Sequence, residues 1–291
     1  MNISDKTFPE LLCIGFLCHD LHNGKHLLGG TASYSSIMAS QLGMNTAILT
    51  SVGEDFEFHS TFKQYNIELC NVPSEKTTVF ENIYKDGRRI QFMHRRAKPL
   101  LPQHLPTEWE KVPIVKFCLI ADEVDETFLQ MFPEALVGAT IQGWLRQWDQ
   151  SGLVSPKEMD WEILRFVDIV FMSEDDIEGY EYAIPIIAEA VQLLVMTKGH
   201  QGAVIFYQGQ EFSFPAFPTN EVDPTGAGDI FAASFLVKFN QTKKISHSMA
   251  FAHSAASFVV EDFGIKIPEQ SDIEKRYQQY LKQFKAQIPD I

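Results

Sequence analysis

Short apolar runs without alternation, separated by helix-length segments, constrain this chain more than any other feature. The runs at residues 11–17, 46–52, 114–121, 136–141, 168–172 and 192–197 carry apolar side chains at successive positions rather than at every second one. A strand of that kind has both faces covered, as in a parallel sheet packed between helices. Residues 32–42, 56–65 and 157–166, lying between such runs, have helix length and composition. The alternation predicts βαβ units and an α/β fold: a doubly wound, mostly parallel sheet flanked by helices.

Two segments depart from it. Residues 80–94 read as two strands around Asp86-Gly87, a pair suited to a type I′ turn. A second antiparallel pair spans residues 202–214, turning at Gln208-Gly209, and the chain is then helical over 227–239, 245–260 and 273–284. No shift in composition marks a boundary. Residues 1–291 are therefore expected to form one domain with a small β lid, contributed mainly by 16–28 and 79–95.

A net charge of −14 argues against broad nucleic-acid binding, which needs basic surface to displace counterions. The expected partner is a small molecule. The basic cluster Arg88, Arg89, Arg95, Arg96 and Lys98 fits either an anion-binding face or a charged strand edge. The N-terminal residues have no signal-peptide pattern and no apolar run reaches membrane-spanning length, so a cytoplasmic protein without a membrane partner is expected. Cys13, Cys18, Cys70 and Cys118 form no C-x-x-C pair and read as core thiols. The histidines, His19, His94, His200 and His253 among them, show no metal-ligand spacing along the chain.

The segment with the clearest chemistry is Val222-Asp-Pro-Thr-Gly-Ala-Gly-Asp-Ile-Phe231, a glycine-rich turn running into a helix. Gly226 and Gly228 allow a tight turn and close approach of a ligand to the backbone. A helix starting near Ala227 directs free N–H groups and the positive end of its dipole at an anion such as phosphate. Asp229 stands in its first turn, where a carboxylate can take a proton from an attacking hydroxyl.

Asp223-Pro-Thr-Gly-Ala-Gly-Asp229 resembles the C-terminal signature of the ribokinase-like (PfkB) carbohydrate kinases. Further segments resemble that family in the same order: Gly15-Phe-Leu-Cys-His-Asp20 its first strand ending in an acid, and Gly29-Gly30-Thr-Ala-Ser33 its substrate-side turn. Ser51-Val-Gly-Glu-Asp55 is similar to its next strand end, and Met196-Thr-Lys-Gly-His-Gln-Gly202 to its nucleotide segment. The resemblance implies ATP beside Thr197, Gly199, Gly202 and Thr225, with His253 on the helix packed against the adenine. It implies an anion hole from the backbone of Thr225 to Gly228, including Gly226 and Ala227, and Asp229 as the base. On the substrate side it implies Asp20, Gly29, Gly30 and Ser33, under the β lid.

The chain also departs from the family pattern. Where the family often carries N-x-x-E to organise Mg2+ through water, Ser173-Glu-Asp-Asp176 stands, and Glu174 and Asp176 would take over that role. Where many sugar kinases bring an Asn to the substrate, Ser33 and Tyr34 stand. These features, with Lys76-Thr-Thr-Val-Phe-Glu81 and Ile141-Gln-Gly-Trp-Leu-Arg146, resemble the myo-inositol kinases of the family and imply that Arg146 lies near the substrate or the phosphates. Apolar Ile83, Ile90 and Phe92 on the lid are compatible with a homodimer formed through it.

Overall fold

The structure, a computed structural model, describes residues 8–85, 88–264 and 266–291. In chain order the strands are β1 (Leu11–Ile14), β2 (Cys18–His22), β3 (Lys25–Gly29), β4 (Thr46–Thr50), β5 (Glu68–Asn71), β6 (Thr78–Lys85), β7 (Arg88–Arg95) and β8 (Ile114–Cys118). They continue with β9 (Leu136–Thr140), β10 (Arg146–Trp148), β11 (Val154–Pro156), β12 (Ile169–Ser173), β13 (Leu193–Thr197), β14 (Ala203–Tyr207) and β15 (Gln210–Phe214). The α-helices are α1 (Thr31–Gln41), α2 (His59–Gln64), α3 (Ile184–Ala190), α4 (Ala227–Thr242), α5 (Ile245–Val259) and α6 (Gln270–Gln283).

Among the described residues nine strands form the main sheet, in the order β15-β14-β13-β12-β9-β8-β1-β4-β5. From β13 to β5 every pairing is parallel, and β14 alone runs against the rest, antiparallel to β13 and to β15 on either side. The unalternating runs have the expected cause: Leu11 and Cys13 face one core, Leu12 and Ile14 the other. Helices α1, α4, α5 and α6 cover the first face, with Ile37, Phe235, Met249 and Tyr280 packed there. The opposite face is covered by Trp109, Phe128, Trp161 and Ile187. The order reverses at β1, which has β4 on one side and β8 on the other. A crevice at the carboxyl ends of strands at such a reversal is where open α/β sheets take ligands.

A separate four-stranded sheet, β3-β2-β6-β7, comes from residues 18–29 and 78–95. The Asp86-Gly87 turn lies outside the described residues. The turn at Gln208-Gly209 has φ of 52° and 73°, the left-handed pair that a type I′ hairpin requires.

Two local expectations are corrected. β1 ends at Ile14, so Asp20 does not close the first strand but stands on β2, in the smaller sheet. The chain turns at Gly15, where a Cβ would lie 2.1 Å from the Cys118 carbonyl oxygen. The helix expected over 157–166 is shortened to a 3-10 segment, Trp161–Phe166, preceded by β11. Pro156 restricts the residue before it to extended backbone, and Asp160 caps the short turn by accepting the Glu162 N–H at 3.0 Å.

The route from β1 into the smaller sheet is fixed by Glu123, fully buried, whose carboxylate accepts N–H bonds from Phe16 at 3.2 Å, Ile120 at 2.9 Å and Ala121 at 2.7 Å. Removing it would leave these donors buried without an acceptor. Glu123→Ala is expected to lower unfolding stability by about 3 kcal/mol in urea denaturation, within the range for unsatisfied buried groups.

Candidate active site

A cavity of about 520 Å³ opens at the carboxyl ends of the central strands, where β9, β12 and β13 end in the hydroxyl residues Thr140, Ser173 and Thr197. Its far walls are the smaller sheet, through Asp20, Phe80, Asn82 and Gln91, and helix α5, through His253, Ala256 and Ser257. The start of α4, Thr225 to Asp229, crosses it between them.

Gly226 caps α4 in the left-handed conformation, φ 80°, and a Cβ there would fall 2.2 Å from the Tyr34 ring. The backbone can therefore lie flat on Tyr34 only with glycine. At Gly228 an added Cβ meets nothing within 4 Å, so no contact in the chain requires glycine there. Two of the four amides expected to form an anion hole are already bonded within the chain. The Thr225 N–H is held by Asp223 Oδ1 at 3.0 Å and the Ala227 N–H by the Pro224 carbonyl at 3.1 Å. Among the described residues, the amides of Gly226 and Gly228 remain available to a ligand.

The carboxyl of Asp229 borders the cavity beside these amides. Burial raises its pKa from the ordinary aspartate value, and Asp176 adds to the rise. Lys116, a hydrogen bond from Thr31 and Arg146 oppose it. A raised carboxylate is a better proton acceptor provided it stays ionised at working pH.

At the smaller sheet, Asp20 packs over Gly29, where a Cβ would lie 2.3 Å from the Asp20 Oδ2, and the Cys18 thiol contacts Asp20 Oδ1 at 3.7 Å. Gly30 caps α1 at φ 92° and lines the cavity with Thr31 and Tyr34. Ser33 does not line it: the side chain is buried and its hydroxyl donates to the Gly29 carbonyl at 2.6 Å, securing the turn. At its position in α1 the side chain points into the protein, and Thr31 and Tyr34 take the cavity side. Arg146 reaches the cavity from β10, donating to the Ile120 carbonyl at 3.3 Å with its guanidinium 5.9 Å from the Phe80 ring centre.

On the other side Thr197, Gly199 and Gly202 line the wall. His253 is stacked on Tyr280 and edge-on to Phe231, and burial pushes its pKa down to about 3. It is thus a neutral imidazole, with its Nε2 buried and unpartnered among the described residues. Of the acidic stretch, Asp175 and Asp176 line the cavity and Glu174 does not. Asp176 accepts from the Ser173 N–H at 2.8 Å and from the Gln142 side-chain amide.

Asn82 and Gln91 line the cavity without any motif signal, whereas Thr31, Gln142 and Asp175 stand inside the family-like segments without being singled out there as site residues. The basic cluster divides. Arg96 is structural, donating to the carbonyls of Ala121 and Asp122, while Arg95 pairs with Asp55 at 3.1 Å. Folding also gathers His19, His26 and Glu57, with donor atoms within 4.8 Å of one another, a grouping that spacing along the chain does not show. The two imidazoles stack face to face at 4.3 Å and 14°, so their in-plane lone pairs run side by side rather than converging on one ion.

A helix start with free amides, an adjoining acid and a polar wall from the smaller sheet share one cavity, an arrangement suited to phosphoryl transfer. The family model described as pfkB family carbohydrate kinase matches residues 18–272, and the chain belongs to that family. It is a phosphotransferase acting on a sugar or polyol hydroxyl. Among characterised relatives, inositol 3-kinase of Arabidopsis thaliana is 26% identical over 287 residues, spanning 90% of this chain and 77% of its own. A nucleoside kinase of Methanocaldococcus jannaschii is 28% identical over 254 residues, 81% of this chain and 80% of its own. A pyrophosphate-dependent kinase of the ribokinase family, solved with a pyrophosphate analog and myo-inositol, has the same fold: TM-score 0.76 at 22% identity over 91% of this chain and 99% of its own.

The two glycines of the turn should separate on substitution. Gly226→Ala is expected to lose about 2 kcal/mol or more of stability, from the left-handed backbone and the clash with Tyr34. Gly228→Ala should gain about 0.5 kcal/mol as a helix residue while losing at least ~10-fold in phosphotransfer, because the methyl lies beside the free amides. Thermal denaturation and steady-state rates of both variants measure the difference.

Proposed function

We propose that this protein transfers the terminal phosphoryl group of ATP to a hydroxyl of a cyclic polyol, an inositol, with Asp229 as general base. The observation that carries the reading is the placement of Asp229 in one cavity, beside the free amides of Gly226 and Gly228, with Asp20, Gly30 and Tyr34 on one side and Thr197, Gly199, Gly202 and His253 on the other. A polyol held by Asp20 and Arg146 presents a hydroxyl to Asp229. The hydroxyl proton passes to the Asp229 carboxylate as its oxygen bonds to phosphorus, and the bond to the leaving phosphate oxygen breaks. Charge on the transferred group is met by the Gly226 and Gly228 amides and the positive end of α4. The smaller sheet excludes water from the acceptor.

Inositol is favoured among acceptors by the span of the similarity to the plant inositol 3-kinase, 90% of the chain. The acceptor wall agrees, presenting the Asn82 and Gln91 amides, which bond each other at 2.9 Å, with the Asp20 carboxylate. ATP is favoured over pyrophosphate by the wall beyond the helix start, where Phe217, Pro218, His253, Ala256 and Val260 offer apolar surface that a base would use and pyrophosphate would not. Asp175 and Asp176 offer the oxygen ligands that Mg2+ takes, and because both Asp176 oxygens already accept bonds, it would hold the ion through water. When bound, Mg2+ neutralises charge on the phosphates.

An acceptor panel of inositols, ribose, fructose and nucleosides, run with ATP and with pyrophosphate, tests the substrates. The highest kcat/KM should fall to an inositol with ATP, and a nucleoside or pyrophosphate ahead of it would replace that assignment. Asp229→Asn should lower kcat by about 10²–10⁴ with little change in ATP affinity, whereas Asp20→Ala should act mainly on the acceptor KM. Full turnover in Asp229→Asn would remove the base assignment.

A further inference from the structure

Among the described residues two side chains of the charged acid and base types are fully buried, Glu123 and Lys116. Glu123 has three backbone donors, but Lys116 has no comparable account. It stands in the middle of β8 on the face that packs under α1 and α4, between Ile114 and Cys118, both core residues of that face. Its Nζ donates to Thr140 Oγ1 at 3.0 Å and contacts Cys118 Sγ at 3.7 Å, and no carboxylate lies within ion-pair distance among the described residues. An isolated buried cation costs several kcal/mol, so a fold that keeps one has a counter-charge nearby. Thr140, its hydrogen-bond partner, lines the cavity that Asp229 borders.

The groups that face Asp229 come from every neighbouring element. They are Thr31 and Tyr34 from α1, Cys13 from β1, Cys118 from β8, Arg146 from β10 and Asp176 after β12. Asp20 and Asp223 bear on the same Tyr34. Among the charges, Lys116 acts most strongly on Asp229, and in the direction that favours the carboxylate.

We propose that Lys116 is a positioning residue for the base: it holds Asp229 as a carboxylate from the sheet side of the cavity, without touching the acceptor or the phosphates. This rests on Asp229 being the base. The carboxylate form must be present for turnover, so activity falls as pH drops through the folded-state pKa of Asp229. Removing the neighbouring cation raises that pKa and carries the fall to higher pH.

The test is the pH profile of kcat/KM for the full chain and for Lys116→Met, with ATP and the best acceptor. The acid limb of the variant should lie about one pH unit nearer neutrality, with the plateau above it retained. An unmoved limb, or a loss equal at every pH, overturns the proposal, the latter because it marks direct contact with the transferred group. A second measurement needs no turnover. In thermal denaturation, Lys116→Met should raise the midpoint more in the Asp229→Asn background than in the natural chain, because the ammonium there has lost its counter-charge. Additive shifts overturn the coupling. If Asp229→Asn keeps full turnover, the base assignment fails whatever the cycle shows. If it is inactive while the limb of Lys116→Met is unmoved, only the role of Lys116 fails.

Discussion

Most of the cavity's geometry depends on the contact between Gly226 and the ring of Tyr34. It brings the first turns of α1 and α4 together, so that Gly30, Thr31 and Tyr34 of one helix start share a cavity with the free amides and the acid of the other. The contact is steric and admits one residue type, because the left-handed backbone and the absent Cβ are both needed. Gly228 is of a different kind: nothing in the chain requires it, and its value lies in the space it leaves for a ligand.

Around that joint the electrostatics are arranged by burial. Asp229 is pushed toward its protonated form by loss of water and by Asp176, and back toward the carboxylate by Lys116, Thr31 and Arg146. The balance leaves a carboxyl more basic than a surface aspartate beside the free amides at the start of α4. His253 shows the same principle on the opposite wall, where burial removes its charge and leaves a neutral imidazole at the cavity.

Local patterns made much of this legible. Unalternating apolar runs told of a sheet covered on both faces, and the turn residues Gln208 and Gly209 told of a hairpin. The segment Asp223 to Asp229 told of a helix start with an acid, because backbone conformation and helix dipole are set by neighbours in the chain. Patterns failed where a contact between distant segments decides. Ser33 follows the glycine pair, yet the turn of α1 sends its hydroxyl to the Gly29 carbonyl. Glu174 shares its acidic stretch with Asp175 and Asp176, yet only those two reach the cavity. Lys116 left one signal, a lysine interrupting an apolar run, with no partner in its neighbourhood to explain it.

The sequence by itself determined the architecture and the helix start with its acid, since each follows from periodicity or from a few adjacent residues, and its resemblance to a kinase family pointed to the class of reaction. The tertiary structure alone decided which amides stay free, which acids line the cavity, that Asp20 belongs to the smaller sheet and that a buried lysine stands under the helix that carries Asp229. Burial and charge coupling depend on distance through space, and segments far apart in the chain set those distances only when the sheet and its helices close around the crevice at β1 and β8.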